Sequence, residues 1–170
     1  MIKMKSLLIE EDGVIKKFIS LLPKYGLEYH APQSKYSFRW QGHMYPTVTD
    51  KDHSVKIGLD RTDIFNRNGH VWVGDPTQPL LNGYVIQSIV TNPEQREKGK
   101  ASEALKSMLQ AADEAGLLFR LEPVPMKDFI GPGQKSMNTD HLINWYEKVG
   151  FKKLPLANIM IRNPKNDNNL

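Results

Sequence analysis

The chain of 170 residues contains no cysteine. Disulfides, thiolate metal centres and a cysteine nucleophile are therefore excluded. No apolar run approaches the roughly 18 residues of a membrane-spanning helix. Near the start, Leu7-Leu8-Ile9 gives way at once to Glu10-Glu11-Asp12. That stretch is too short for a signal peptide, so a cytoplasmic location is expected. There is no internal repeat, no Gly-Lys-Ser/Thr ending of a Walker loop and no GxGxxG dinucleotide fingerprint. Concentrated charge is missing too. Residues 1–80 carry 11 basic and 9 acidic groups, residues 81–170 carry 12 and 10, and the net charge of +4 is shared equally between them. Without a basic stripe, nucleic acid is not the expected partner. A weakly positive surface suits a smaller anion.

What is present fits a water-exposed folded domain. Hydrophobic residues make up 39% of the chain and mean hydropathy is −0.49, values that fit neither a membrane protein nor a disordered one. The length predicts a single domain over residues 1–162, followed by a polar tail over 163–170.

The first half gives partial signals. Lys5–Ile9 reads as a short strand. Val14, Ile15, Phe18, Ile19 and Leu22 recur at helical spacing, with Asp12 as a candidate N-cap and Pro23 as the stop. Tyr36–Trp40 and His43–Val48 flank Gln41-Gly42, a hairpin pattern. Ser54–Leu59 alternates apolar and polar residues, and Val71–Val73 reads as one more short strand. The second half is clearer. Gly83–Thr91 is a strand rich in Val, Ile and Tyr. Ala101, Ala104, Leu105, Met108, Leu109 and Ala112 mark an amphipathic helix ending at Gly116. Leu117–Leu121 reads as a strand and Pro123–Asn138 as a long loop. A helix then opens at Thr139 as N-cap and stops at Gly150, before a last strand over Ala157–Ile161. The order strand, helix, strand, helix, strand places the chain in the α/β or α+β class.

The segment Thr91-Asn92-Pro93-Glu94-Gln95-Arg96-Glu97-Lys98-Gly99-Lys100-Ala101 runs from a strand through a basic turn into a helix. A helix start exposes unpaired backbone N–H groups and the positive end of the helix dipole. Such a turn suits a phosphate. Gly99 removes a Cβ that would obstruct the ligand, and Ala101 is the next smallest choice. Arg96, Lys98 and Lys100 add positive charge, partly offset by Glu94 and Glu97.

Arg96-Glu97-Lys98-Gly99-Lys100-Ala101 resembles the Arg/Gln-x-x-Gly-x-Gly/Ala acetyl-CoA loop of the GNAT N-acetyltransferase superfamily. Leu142-Ile143-Asn144-Trp145-Tyr146-Glu147-Lys148-Val149-Gly150-Phe151 resembles the family's closing helix, which ends Tyr-Glu-Lys-x-Gly-Phe. The resemblance covers about residues 83–162. It departs from the pattern at Glu97, where Gly is frequent, at Ala101, and at Thr139, where Asn is frequent. It implies a mixed, mostly antiparallel sheet flanked by helices, with a splayed strand pair forming the acetyl-CoA cleft. It also implies acetyl transfer from acetyl-CoA to a primary amine, on a small molecule or a peptide, by direct attack. The pyrophosphate is then expected on the N–H groups of Arg96, Glu97, Lys98, Gly99, Lys100 and Ala101. The pantetheine is expected beside Ile89, Val90 and Thr91.

Tyr146 is the family's candidate general acid for the leaving thiolate. Its packing alternative is contact with Leu142 and Val149. Trp145 points elsewhere and reads as a packing residue. No residue stands out as the general base; Glu122, at the end of the strand beside the cleft, ranks ahead of Asp60, Asp63, His70 and His141. His30, His43 and His53 lack metal-ligand spacing, so no metal site is read. The long loop, with Met126, Phe129, Ile130 and Gly131-Pro132-Gly133, is a candidate wall of the acceptor pocket. A GNAT-fold module that binds CoA or a protein partner without catalysis is the competing reading.

Overall fold

A computed structural model describes residues 13–61, 83–96, 98–125, 138–155 and 158–165. The expected strands Lys5–Ile9 and Val71–Val73, the Asp12 cap, most of the long loop and residues 166–170 lie outside them, as do Glu97, Asp63, His70 and Ala157.

Helix α1 occupies residues 13–21 and tightens into a 3-10 turn, Leu22–Tyr25. Pro23 sits in the first turn of that tighter helix, where its missing N–H leaves no bond unmade. Among the described residues nine strands follow in chain order: β1 (Leu27–His30), β2 (Phe38–Trp40), β3 (His43–Tyr45), β4 (Thr47–Asp50), β5 (Val55–Arg61), β6 (Gly83–Thr91), β7 (Leu118–Leu121), β8 (Lys152–Lys153) and β9 (Met160–Arg162). Helix α2 spans Lys100–Ala115 and helix α3 spans Thr139–Glu147.

Seven strands form one sheet in the order β1-β4-β5-β6-β7-β9-β8, and β2 with β3 forms a separate hairpin. Within the seven, β6 and β7 run parallel and every other neighbouring pair is antiparallel. The mixed, mostly antiparallel sheet flanked by helices is therefore the observed fold.

Several boundaries differ from expectation for identifiable reasons. The strand expected over His43–Val48 breaks at Pro46, which cannot donate to a ladder, so β3 stays in the hairpin and β4 joins the main sheet. Strand β1 follows the 3-10 turn and pairs with β4; its four residues include only one fully buried side chain, too weak a pattern to read. Asn138, not Thr139, caps α3, because its Oδ1 accepts the His141 N–H at 2.9 Å. After β9 the chain stays against α2 as far as Lys165, whose N–H donates to Asp113 at 2.8 Å.

The core lies between the sheet and the helices. Helix α2 buries Ala104, Leu105, Met108, Leu109, Ala111, Ala112 and Ala115, and its many alanines let the backbone approach the sheet closely. From β5 and β6, Val55, Ile57, Leu59, Tyr84 and Ile86 join the same cluster. Phe18 of α1 fills the centre, its ring 6.0 Å from Tyr84 and 5.9 Å from Phe119.

Candidate functional site

Strand β6 has two unlike flanks. Toward β5 it is paired from Tyr84 to Thr91. Toward β7 only Gly83, Tyr84 and Val85 are paired, with Leu118, Phe119 and Arg120. The pairing ends at Val85, β7 itself ends one residue later at Leu121, and its other edge pairs with β9 from Phe119 to Leu121. Gly58 faces Ser88 while Leu59 faces Ile86, which leaves Gln87 as an extra residue in β6. Such a bulge bends its strand, and this one falls two residues past the last pair with β7. Ile86–Thr91 thus has β5 on one side and, among the described residues, no strand on the other. Backbone groups left unpaired inside a protein are costly, so this opening is a place where an extended ligand has something to bind.

At the end of β6, Asn92 donates its backbone N–H to Ser54 at 2.8 Å. Pro93–Gln95 make one 3-10 turn and Arg96 returns to extended backbone. The Arg96 Nε donates to the Thr91 carbonyl at 3.1 Å, which folds the turn back on its own strand. Gly99 is the N-cap of α2 with φ +72, a left-handed conformation that favours glycine. A Cβ there would meet nothing within 4 Å. Both Lys98 and Gly99 are exposed. The first intrahelical bond is Glu103 N–H to Gly99 carbonyl, 3.0 Å, and no side chain caps the helix. The N–H groups of Lys100, Ala101 and Ser102 precede that bond at the positive end of a 16-residue helix. The turn is open, basic and uncapped, which fits a diphosphate.

Helix α3 stands beside this turn. The Trp145 indole N–H donates to Ser102 Oγ at 2.7 Å, so Trp145, which packs against the core as expected, also ties α3 to the start of α2. Tyr146 is buried in the common core, 5.4 Å from the Phe151 ring and 4.9 Å from Trp145. Burial pushes its phenol well above the ordinary value of 10.0. The group is a protonated donor at neutral pH and a weaker acid than a free phenol. Glu122 follows the last residue of β7 and is exposed. No side-chain hydrogen bond or ion pair joins it to Tyr146 among the described residues. His141 is exposed on α3, and Asp60 accepts from Gln87 Nε2 at 3.3 Å.

Sequence reasoning missed Arg162. It is 5% exposed and donates to both Asp113 carboxylate oxygens at 2.7 and 2.8 Å, and through Nε to the Val149 carbonyl at 2.9 Å. One guanidinium therefore ties β9, α2 and the turn after α3. An arginine inside a short strand of otherwise apolar residues was the available signal. A separate hollow lies at the Tyr84 end of β6, lined by Ile15, Ile19, Tyr29, Pro46 and Asp60 among others. Among the described residues its lining contains no lysine or arginine, so they do not suit a diphosphate.

No family model matches the chain, and no curated protein matches it. Similar solved structures include a bacterial toxin, at 11% identity and TM-score 0.42, covering 71% of this chain and 66% of the toxin. The chain thus spans just under two thirds of that toxin's length. Another is the ribosomal-protein-S18-alanine N-acetyltransferase from Escherichia coli, at 14% identity and TM-score 0.39, covering 82% of this chain and 77% of the enzyme.

Proposed function

We propose that the chain is an acetyl-CoA-dependent N-acetyltransferase acting on a primary amine of a small molecule or peptide. The observation that carries this reading is the opening between β6 and β7 beside an uncapped basic turn. The Arg96-Glu97-Lys98-Gly99-Lys100-Ala101 motif and the Tyr146-Glu147-Lys148-Val149-Gly150-Phe151 motif agree with it.

The donor supplies an activated thioester. The backbone of Ile89, Val90 and Thr91 pairs with its pantetheine arm, and the N–H groups around Gly99 hold its pyrophosphate. The amine nitrogen attacks the thioester carbonyl, the C–N bond forms, and the C–S bond breaks as the tetrahedral intermediate collapses. Glu122 takes a proton from the amine, directly or through water, and Tyr146 gives one to the departing thiolate.

Thiol release from acetyl-CoA, measured across small-molecule and peptide amines, tests the reading. Amine-dependent release is expected, falling about 100-fold or more in Tyr146→Phe. Binding of acetyl-CoA without release across the panel would instead make the chain a non-catalytic CoA-binding module. No binding at millimolar acetyl-CoA would remove the reading altogether.

A further inference from the structure

The face of the sheet that carries Lys56 and Gly58 holds a second cluster, remote in sequence from the acetyl-CoA motif. Pairing of β1 with β4 sets Glu28 opposite Thr49 and His30 opposite Thr47. Two residues apart on one strand, Glu28 and His30 share a face. The turn from β4 to β5 brings in His53, at φ +55. Asp50 fixes that turn: its carboxylate accepts the Ser54 hydroxyl and, at 3.0 Å, the Val55 N–H, and its carbonyl accepts the His53 N–H at 3.1 Å. His53 Nε2 then lies 3.0 Å from Glu28 Oε2, and His30 Nε2 lies 3.8 Å from the same oxygen. The ring of Tyr36 backs both imidazoles, stacked on His53 at 4.1 Å and 4.7 Å from His30.

We propose that Glu28, His30 and His53 form a binding site for a divalent transition-metal ion of the zinc class. One ligand atom from each lies within 4.8 Å of the other two. A tetrahedral centre with bonds of about 2.0–2.1 Å places its ligand atoms roughly 3.3 Å apart, and the two measured separations bracket that value. Two imidazoles and one carboxylate suit zinc, cobalt, nickel or iron; magnesium and calcium prefer oxygen throughout. The Glu28 charge offsets part of the dication. Its side chain is 46% exposed and that of His53 is 32% exposed, which leaves the remaining position to water. Thr49 Oγ1 lies 2.8 Å from His30 Nε2, so a bound metal takes that nitrogen's lone pair in place of the Thr49 hydroxyl. Coordination would clamp the β4–β5 turn to the sheet edge. That turn also receives Asn92, through its N–H to Ser54 and its Nδ2 to the His53 carbonyl at 3.4 Å.

The full chain, stripped with chelator, would be titrated with Zn2+ by calorimetry and with Co2+ by visible absorption. One ion per chain is expected, with the intense Co2+ bands of a four-coordinate site and a raised melting temperature in Zn2+. Glu28→Gln and His53→Asn should each weaken Zn2+ binding by about tenfold or more; Asn tolerates the left-handed backbone at 53. Circular dichroism of both variants should match the parent. His43→Gln should bind as the parent does. Absence of heat and of Co2+ bands at millimolar metal would overturn the proposal and leave the cluster a set of side-chain hydrogen bonds. So would binding that survives both Glu28→Gln and His53→Asn unchanged.

Discussion

The two flanks of β6 are made from one run of nine residues, yet they meet their surroundings differently. The β5 flank is closed: antiparallel pairs run from Tyr84 to Thr91 around the bulge, and the Phe38 ring and Ser88 leave no room for a Cβ at Gly58. The β7 flank is open after three pairs. The difference is in the partners. Antiparallel β5 can follow β6 through a bulge, whereas parallel β7 is anchored by the α2 crossover at one end and by β9 on its far side. A bend in β6 is therefore absorbed on one flank and leaves the other without strand pairing after Val85.

The largest expected effect breaks the open flank. Gly99→Glu puts a carboxylate and a β-carbon where the turn is left-handed and uncovered. Acetyl-CoA binding, followed by calorimetry, should be lost while circular dichroism stays unchanged. Next is the buried tie between β9, α2 and the turn after α3. Arg162→Ala leaves Asp113 without its partner and the Val149 carbonyl without its donor. Breaking a buried pair in this way costs about 3 kcal/mol, readable by urea denaturation. Methionine at 162 should recover part of it.

The closed flank should respond through packing alone. A Cβ on Gly58 would stand 2.6 Å from Ser88 Oγ and 3.2 Å from the Phe38 ring. Gly58→Ala is expected to cost roughly 1–3 kcal/mol with acetyl-CoA affinity retained. Ser88→Ala removes a buried hydroxyl that has no hydrogen-bond partner among the described residues, and should stabilise by about 1 kcal/mol. The double variant should be less destabilised than the sum, because the two side chains touch. The smallest effect concerns pH. Tyr146 holds its proton more tightly folded than unfolded. Its contribution is whole below pH 10.0 and is lost as pH climbs beyond, because the unfolded chain ionises first. Melting temperature against pH should therefore fall more steeply on the alkaline side for the parent than for Tyr146→Phe.

Legibility followed the same division. Strand β6 was readable to the residue because Tyr84, Val85, Ile86, Ile89 and Val90 are strand formers in one run, and α2 because its apolar residues keep helical spacing up to Gly116. Nothing local announces that β6 bulges at Gln87 or that β7 leaves it after Val85; those depend on pairing between distant segments. The basic turn at Gly99 is legible as a string of residues, and its exposure and lack of a side-chain cap belong to the fold. His30 and His53 are 23 positions apart and meet through the β1–β4 register and a turn fixed by Asp50, neither of which leaves a periodic trace. The Arg162–Asp113 pair, 49 positions apart, is of the same kind.

The central claim is that one ligand occupies the open flank of β6 and the turn at Gly99 together. Titration of 15N-labelled protein with acetyl-CoA reads both at once. The account predicts the largest amide shifts at Ile89, Val90, Thr91, Lys98, Gly99, Lys100 and Ala101, with Leu27–His30 nearly still. Shifts centred on β1 and β4, or none at millimolar acetyl-CoA, would contradict it.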